Sequence, residues 1–150
     1  MSKMREIKRL TDLLVKCPYC GCAAEFVPDK EVYGGKSYGH YIYLCRPCDA
    51  YVACQPGTNL PLGTLADSDL RGWRNMAHRY FDPMWKGHNP PMSRAKAYRW
   101  LSRKMNLPGE KTHIAMFNKE QCRQVRVIVQ EWRKQHGDID TGYEDAEELR

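Results

Sequence analysis

Apolar residues in the first third of this chain fall in short runs of strand length, and those in the second half recur every three to four positions. Ala23-Ala24-Glu25-Phe26-Val27 and Glu31-Val32-Tyr33 read as strand material, Gly34-Gly35-Lys36-Ser37-Tyr38-Gly39 as a turn, and Tyr41-Ile42-Tyr43-Leu44 and Ala50-Tyr51-Val52-Ala53 as further strands. A stretch rich in glycine and proline, residues 55–66, reads as a packed connector loop. Three helices follow. The first, capped by Asp67 or Ser68 and broken near Asp82-Pro83, sets Leu70, Trp73, Ala77 and Tyr80 on one face and Arg71, Arg74 and His78 on another. The second, over 94–105 with Ser93 as its cap, has Ala97, Trp100, Leu101 and Met105 inward and Lys96, Arg99 and Arg103 outward. The third, from Lys119 to about Gln135, has Cys122, Val125, Val129 and Trp132 inward and Arg123, Arg126 and Arg133 outward. Met4, Ile7, Leu10, Leu13 and Leu14 give residues 1–16 the spacing of a short lead-in helix.

The strand-bearing region also holds the strongest chemical signal. Cys17-Pro18-Tyr19-Cys20-Gly21 is answered by Cys45-Arg46-Pro47-Cys48-Asp49. A Cys-x2-Cys turn brings two thiolates onto one ion, and Gly21 supplies a permissive backbone just past the first turn. Two such turns make a closed four-thiolate shell that suits one structural Zn²⁺; iron is the chemical alternative. Cys22 and Cys54 lie near the site by position and are expected to pack beside it, and His40 is expected at a hairpin tip. Seven cysteines with two tight pairs, and no export signal, point to a metal in a reducing compartment rather than to disulfides.

The expected fold class is therefore α+β: a zinc ribbon (17–56) with a small antiparallel sheet, a connector (57–66), and a three-helix unit (67–136) packed with the ribbon. An acidic segment (137–150), expected to be disordered, follows. No apolar run approaches the roughly 20 residues of a membrane span and the first residues lack the apolar core of a signal peptide, so a cytoplasmic protein without a membrane partner is expected.

Charge suggests the partner. The chain carries a formal +6, but residues 1–137 alone hold 23 Lys and Arg against 12 Asp and Glu, and the last thirteen residues hold six acidic groups. Between residues 71 and 104 there are nine Lys and Arg and one carboxylate, Asp82. Ordinary solvated helices mix both signs. A basic surface from Arg71, Arg74, Lys96, Arg99, Arg103, Arg123 and Arg126 would attract DNA or RNA, or an acidic or nucleic-acid-binding host protein.

For catalysis the candidates are His78, Asp82 and His113. His78 and Asp82 share a helix face at i, i+4, which a helix-end ion pair explains as well as an oriented imidazole does. His113 sits in a short apolar run, where a packed or capping histidine is expected. No metalloprotease, Walker or nucleophile-elbow motif is present, and the balance is against an enzyme.

Taken together, Cys17-x2-Cys20-Gly21, Cys45-x2-Cys48-Asp49-Ala50-Tyr51-Val52, Gly57-Thr58-Asn59 and Pro61-Leu62-Gly63-Thr64-Leu65-Ala66 form a distinctive series. It continues through Leu70-Arg71, His78, Phe81-Asp82-Pro83, Met92-Ser93-Arg94, Ala97-Tyr98, Trp100-Leu101, His113-Ile114 and Met116-Phe117. Over residues 15–130 the chain resembles a family of small zinc-finger-containing proteins of phages, prophages and bacteria. The resemblance implies a zinc ribbon followed by helices, in a phage setting, and implies no reaction.

Overall fold

The computed structural model describes residues 14–139; the lead-in helix expected before residue 14 and the acidic segment from residue 140 fall outside the described residues. The chain gathers into two compact units that divide between Asp69 and Leu70.

In the first unit, β1 (Glu25–Pro28), β2 (Tyr41–Cys45) and β3 (Ala50–Ala53) form an antiparallel sheet in the order β1-β2-β3. Phe26 faces Tyr43 and Val27 faces Ile42, while Tyr43 faces Val52 across the other ladder. β2 is central, so Ile42, Tyr43, Leu44 and Cys45 are all buried. Phe26 stacks on Tyr41 at 5.3 Å between ring centroids and tilts against Tyr43 at 5.2 Å, cross-strand pairing that holds the register.

One segment behaves differently from its sequence pattern. Glu31-Val32-Tyr33 is not a strand: a 3₁₀ turn covers Asp29–Glu31, and the amides of Val32 and Tyr33 both donate to the Asp29 carbonyl. The reason is the Asp29 side chain. It is buried and accepts the backbone N–H of Tyr38, which closes the loop before an extended segment can form. The connector, for its part, covers β3. Ala66 exchanges both backbone hydrogen bonds with Tyr51 at 3.0 and 3.1 Å, and the Leu62 amide donates to Ala53 at 2.9 Å. The outer edge of β3 is thereby paired instead of open. The Tyr43 hydroxyl donates to the Asn59 carbonyl at 2.7 Å and anchors the same connector beneath β2.

The second unit is helical: α1 (Ser68–Phe81), α2 (Arg94–Met105) and α3 (Lys119–His136). The 3.6-residue stripes meet in one core that includes Ala77, Phe81, Ala97, Leu101, Val125 and Val129. Ser93 caps α2 by accepting the Lys96 amide at 3.2 Å, and Asn106, left-handed at φ 55°, ends it. A capping box starts α3: Asn118 Oδ1 accepts the Gln121 amide at 2.9 Å and Gln121 Oε1 accepts the Asn118 amide at 3.0 Å. A three-stranded antiparallel sheet with three helices makes the chain α+β.

Candidate metal centre

Each Cys-x2-Cys turn is closed by a backbone hydrogen bond from the residue after its second cysteine, spanning four residues in the first turn and three in the second. The Gly21 amide donates to the Cys17 carbonyl at 2.8 Å and the Asp49 amide to the Arg46 carbonyl at 3.1 Å. The residue after each second cysteine is left-handed, Gly21 at φ 77° and Asp49 at φ 49°, so the chain turns away and leaves both sulfurs aimed at one point. Glycine pays nothing for that geometry, and aspartate is among the side chains that tolerate it. β2 delivers Cys45 at its end and β3 begins five residues later, which fixes the second turn to the sheet; a bridge between Lys16 and Ala23 fixes the first.

The sulfurs of Cys17, Cys20, Cys45 and Cys48 all lie within 4.8 Å of one another, and Cys20 Sγ is 3.6 Å from Cys45 Sγ. A tetrahedral shell with Zn–S bonds of about 2.3 Å needs sulfurs separated by about 3.8 Å. The cage matches that size. As free thiols the four are unequal. The Cys22 backbone N–H and the Cys45 side chain draw Cys20 down to about 7, and Cys20 alongside pushes Cys48 up to about 12. Four thiolates this close repel one another, so a divalent cation must replace the protons before all four ionise.

The profile of a zinc-finger-containing domain family, DUF3268, matches residues 13–132. The chain belongs to this zinc-finger-containing family. No curated protein and no solved structure matches it. The family description and the four-sulfur cage agree on one structural zinc ion held by Cys17, Cys20, Cys45 and Cys48. When bound, the ion cross-links the two turns, and its four sulfur ligands leave no coordination position for substrate.

The remaining cysteines of this zinc-finger chain are not part of the cage. Cys54 is buried in the ribbon core, where burial pushes its thiol up to about 12, and Cys122 is buried in the helical core, pushed up to about 11 by the same cause. Cys22 is exposed; its carbonyl accepts the Cys17 amide at 2.8 Å. His40 is half-buried at the start of β2, with Nδ1 3.7 Å from the Asp29 carboxylate and its ring 5.9 Å from Tyr33.

Of the candidate catalytic residues, His78 and Asp82 do meet, Nδ1 to Oδ1 at 3.2 Å, at the exposed end of α1. His113 instead lies with its ring 5.8 Å from Tyr98, and among the described residues no hydrogen bond or ion pair joins it to that pair.

The seven basic candidates divide. Lys96, Arg99 and Arg103 are exposed along α2, and Arg123 is exposed on α3, paired with Glu120 at 2.6 Å. Arg71 and Arg126 are half-buried. Arg74 requires a correction: it is 8% exposed and its Nε donates to the Phe117 carbonyl at 3.0 Å inside the helical unit. Helical spacing alone put it outward, but the segment preceding α3 lies over that part of α1 and uses the guanidinium as a tie. Lys104 and Arg94, basic residues outside the seven, are also exposed on α2; the unbroken run of like charge in its sequence was the available signal.

No helix among the described residues is long and apolar enough to cross a membrane.

Proposed function

We propose that this zinc-finger protein binds DNA or RNA through the basic face of its helical unit, with the zinc ribbon as a structural element and a phage or prophage as its setting. The observation that carries the reading is the charge of α2. Its twelve residues, RAKAYRWLSRKM, contain five cations and no carboxylate. Lys96, Arg99 and Arg103 repeat at i, i+3 and i+7 on one face and are all exposed. A helix that only needed solvation gains nothing from one sign, and like charges at that spacing repel. A row of phosphates relieves the repulsion and releases counterions, so affinity would depend steeply on salt. The resemblance to phage and prophage zinc-finger proteins supports the setting.

The deciding experiment is fluorescence anisotropy with single- and double-stranded DNA and RNA over a salt series, comparing the parent with K96E/R99E/R103E. The expected result on a duplex is a log–log slope near −0.9 for each phosphate neutralised, which becomes shallower by about 3 in the triple variant. An unchanged slope and affinity in that variant would remove α2 as the binding surface. Recovery of a host protein from nuclease-treated lysate, without measurable affinity for bare nucleic acid, would replace the reading with a protein partner.

A further inference from the structure

A groove of about 530 Å³ lies beside the end of α2 and the first half of α3, and its lining includes Lys104, Met105, Arg123, Arg126, Val127 and Ile128. Apolar and cationic side chains alternate there, and the one lining carboxylate, Glu120, is already engaged by Arg123. Val127 is 54% exposed in the middle of a helix and adds apolar surface to the groove lining.

Two arginines on this helix carry donors that nothing among the described residues satisfies. Arg126 Nε, and Arg133 Nε and Nη2, are buried without a hydrogen-bond acceptor among the described residues. The two stand seven positions apart, on one face of α3. The Arg133 guanidinium lies 5.9 Å over the Tyr80 ring, which satisfies its charge in part but accepts none of its in-plane N–H groups. Both side chains are only half-buried, and the guanidinium N–H groups they leave open can meet an acidic acceptor.

The chain itself carries one within reach. Gly137, at φ 87°, ends α3 with its amide on the Arg133 carbonyl at 2.7 Å, and Ile139 packs against the helical core, so the chain is still in contact with the unit at the last described residue. Residues 140–150 include five carboxylates, Asp140, Glu144, Asp145, Glu147 and Glu148, with Tyr143, Ala146 and Leu149 at every third position. Those eleven residues can extend about 36 Å, while α3 from Arg123 to His136 measures about 20 Å. Tethering also gives the segment an effective concentration in the millimolar range, so weak contacts suffice to hold it.

We propose that the acidic segment 140–150 docks in cis on this groove, its carboxylates meeting Arg133, Arg126 and Lys104 while its apolar positions cover Val127 and Met105. Docking shields Arg123 and Arg126 and leaves the row Lys96, Arg99 and Arg103 to the nucleic-acid reading. The two proposals therefore fail separately.

The test uses the full zinc-loaded chain without nucleic acid. Tyr143 is replaced by a benzophenone amino acid, the protein is irradiated at low concentration, and cross-linked peptides are mapped. The expected result is cross-linking within one molecule to the peptides that carry Met105 and residues 124–128, lost in the neutralised variant E144Q/D145N/E147Q/E148Q. Amide exchange over residues 123–128, measured on chains with native Tyr143, should accelerate at least about threefold in that neutralised variant. Cross-links elsewhere in the chain, cross-links between molecules that grow with concentration, or identical exchange in both proteins would each overturn the proposal.

Discussion

Arg74 Nε donates to the Phe117 carbonyl at 3.0 Å across 43 positions of sequence, and so ties the middle of α1 to the segment that leads into α3. The guanidinium is buried, so the bond is shielded from water and its loss leaves a carbonyl unsatisfied. Arg74→Ala should destabilise the helical unit by about 2–3 kcal/mol, and Arg74→Lys should recover only part of it, because a lysine cannot present the same planar fork. Urea unfolding followed by helical circular dichroism measures both. A midpoint shared by Arg74→Ala and the parent would show that the tie is incidental.

The zinc cage predicts a clean division among the cysteines. Parent protein should hold one zinc per chain; Cys45→Ser should hold none at a modest chelator concentration, while Cys22→Ser and Cys54→Ser keep full occupancy. Cobalt substitution should give the spectrum of an all-sulfur tetrahedral site. Because a structural zinc contributes about 10–16 kcal/mol in small zinc-dependent peptides, chelation should unfold the ribbon and lose the dispersion of its tyrosine resonances. Nitrogen or water in the cobalt coordination sphere would contradict the cage.

Asp29 predicts an acid-sensitive contribution to ribbon stability. Burial by itself would raise its carboxyl, but hydrogen bonds from the Tyr38 amide, the Ser37 side chain and the His40 amide outweigh it and hold the group below its ordinary value. Its unfolded value is about 3.9. The stabilisation is therefore complete above that pH and disappears as pH falls through the lower folded value. The thiolates of the cage take up protons and release zinc in acid, so the comparison is made near neutral pH in excess zinc, where the melting temperature of Asp29→Asn should lie below the parent's. Equal melting temperatures there would mean that the carboxylate charge contributes nothing.

Asn118 and Gln121 satisfy each other's amides at the start of α3. Asn118→Ala removes one half of the box and should cost about 1 kcal/mol of helical-unit stability, with Asn118→Asp near neutral. Thermal melts of the two variants, run side by side, check this.

The features legible in the sequence are those whose cause lies within a few residues. The two Cys-x2-Cys turns carry their own geometry in Gly21, Asp49 and the spacing of the sulfurs, so the cage could be read without knowing the fold. Helix positions followed from apolar spacing, and Ser93 from its place before the stripe of α2. The Asn118 box was equally local, an Asn followed by Gln three positions later, and could have been read from that pair alone.

Tertiary structure decided what depends on distant partners. Glu31-Val32-Tyr33 has strand composition, yet the buried Asp29 carboxylate captures the Tyr38 amide and bends the segment into a turn. The connector was legible as a packed loop, but that it packs by pairing Ala66 and Leu62 with the edge of β3 depends on residues far from it in sequence. Arg74 sits on the polar side of a helical wheel, and only the arrival of Phe117 converts it from a surface cation into an internal tie. A sequence records which groups need a partner; which partner each one finds depends on how the chain brings distant residues together, because a hydrogen bond or a packed face forms only between groups within a few ångströms of each other.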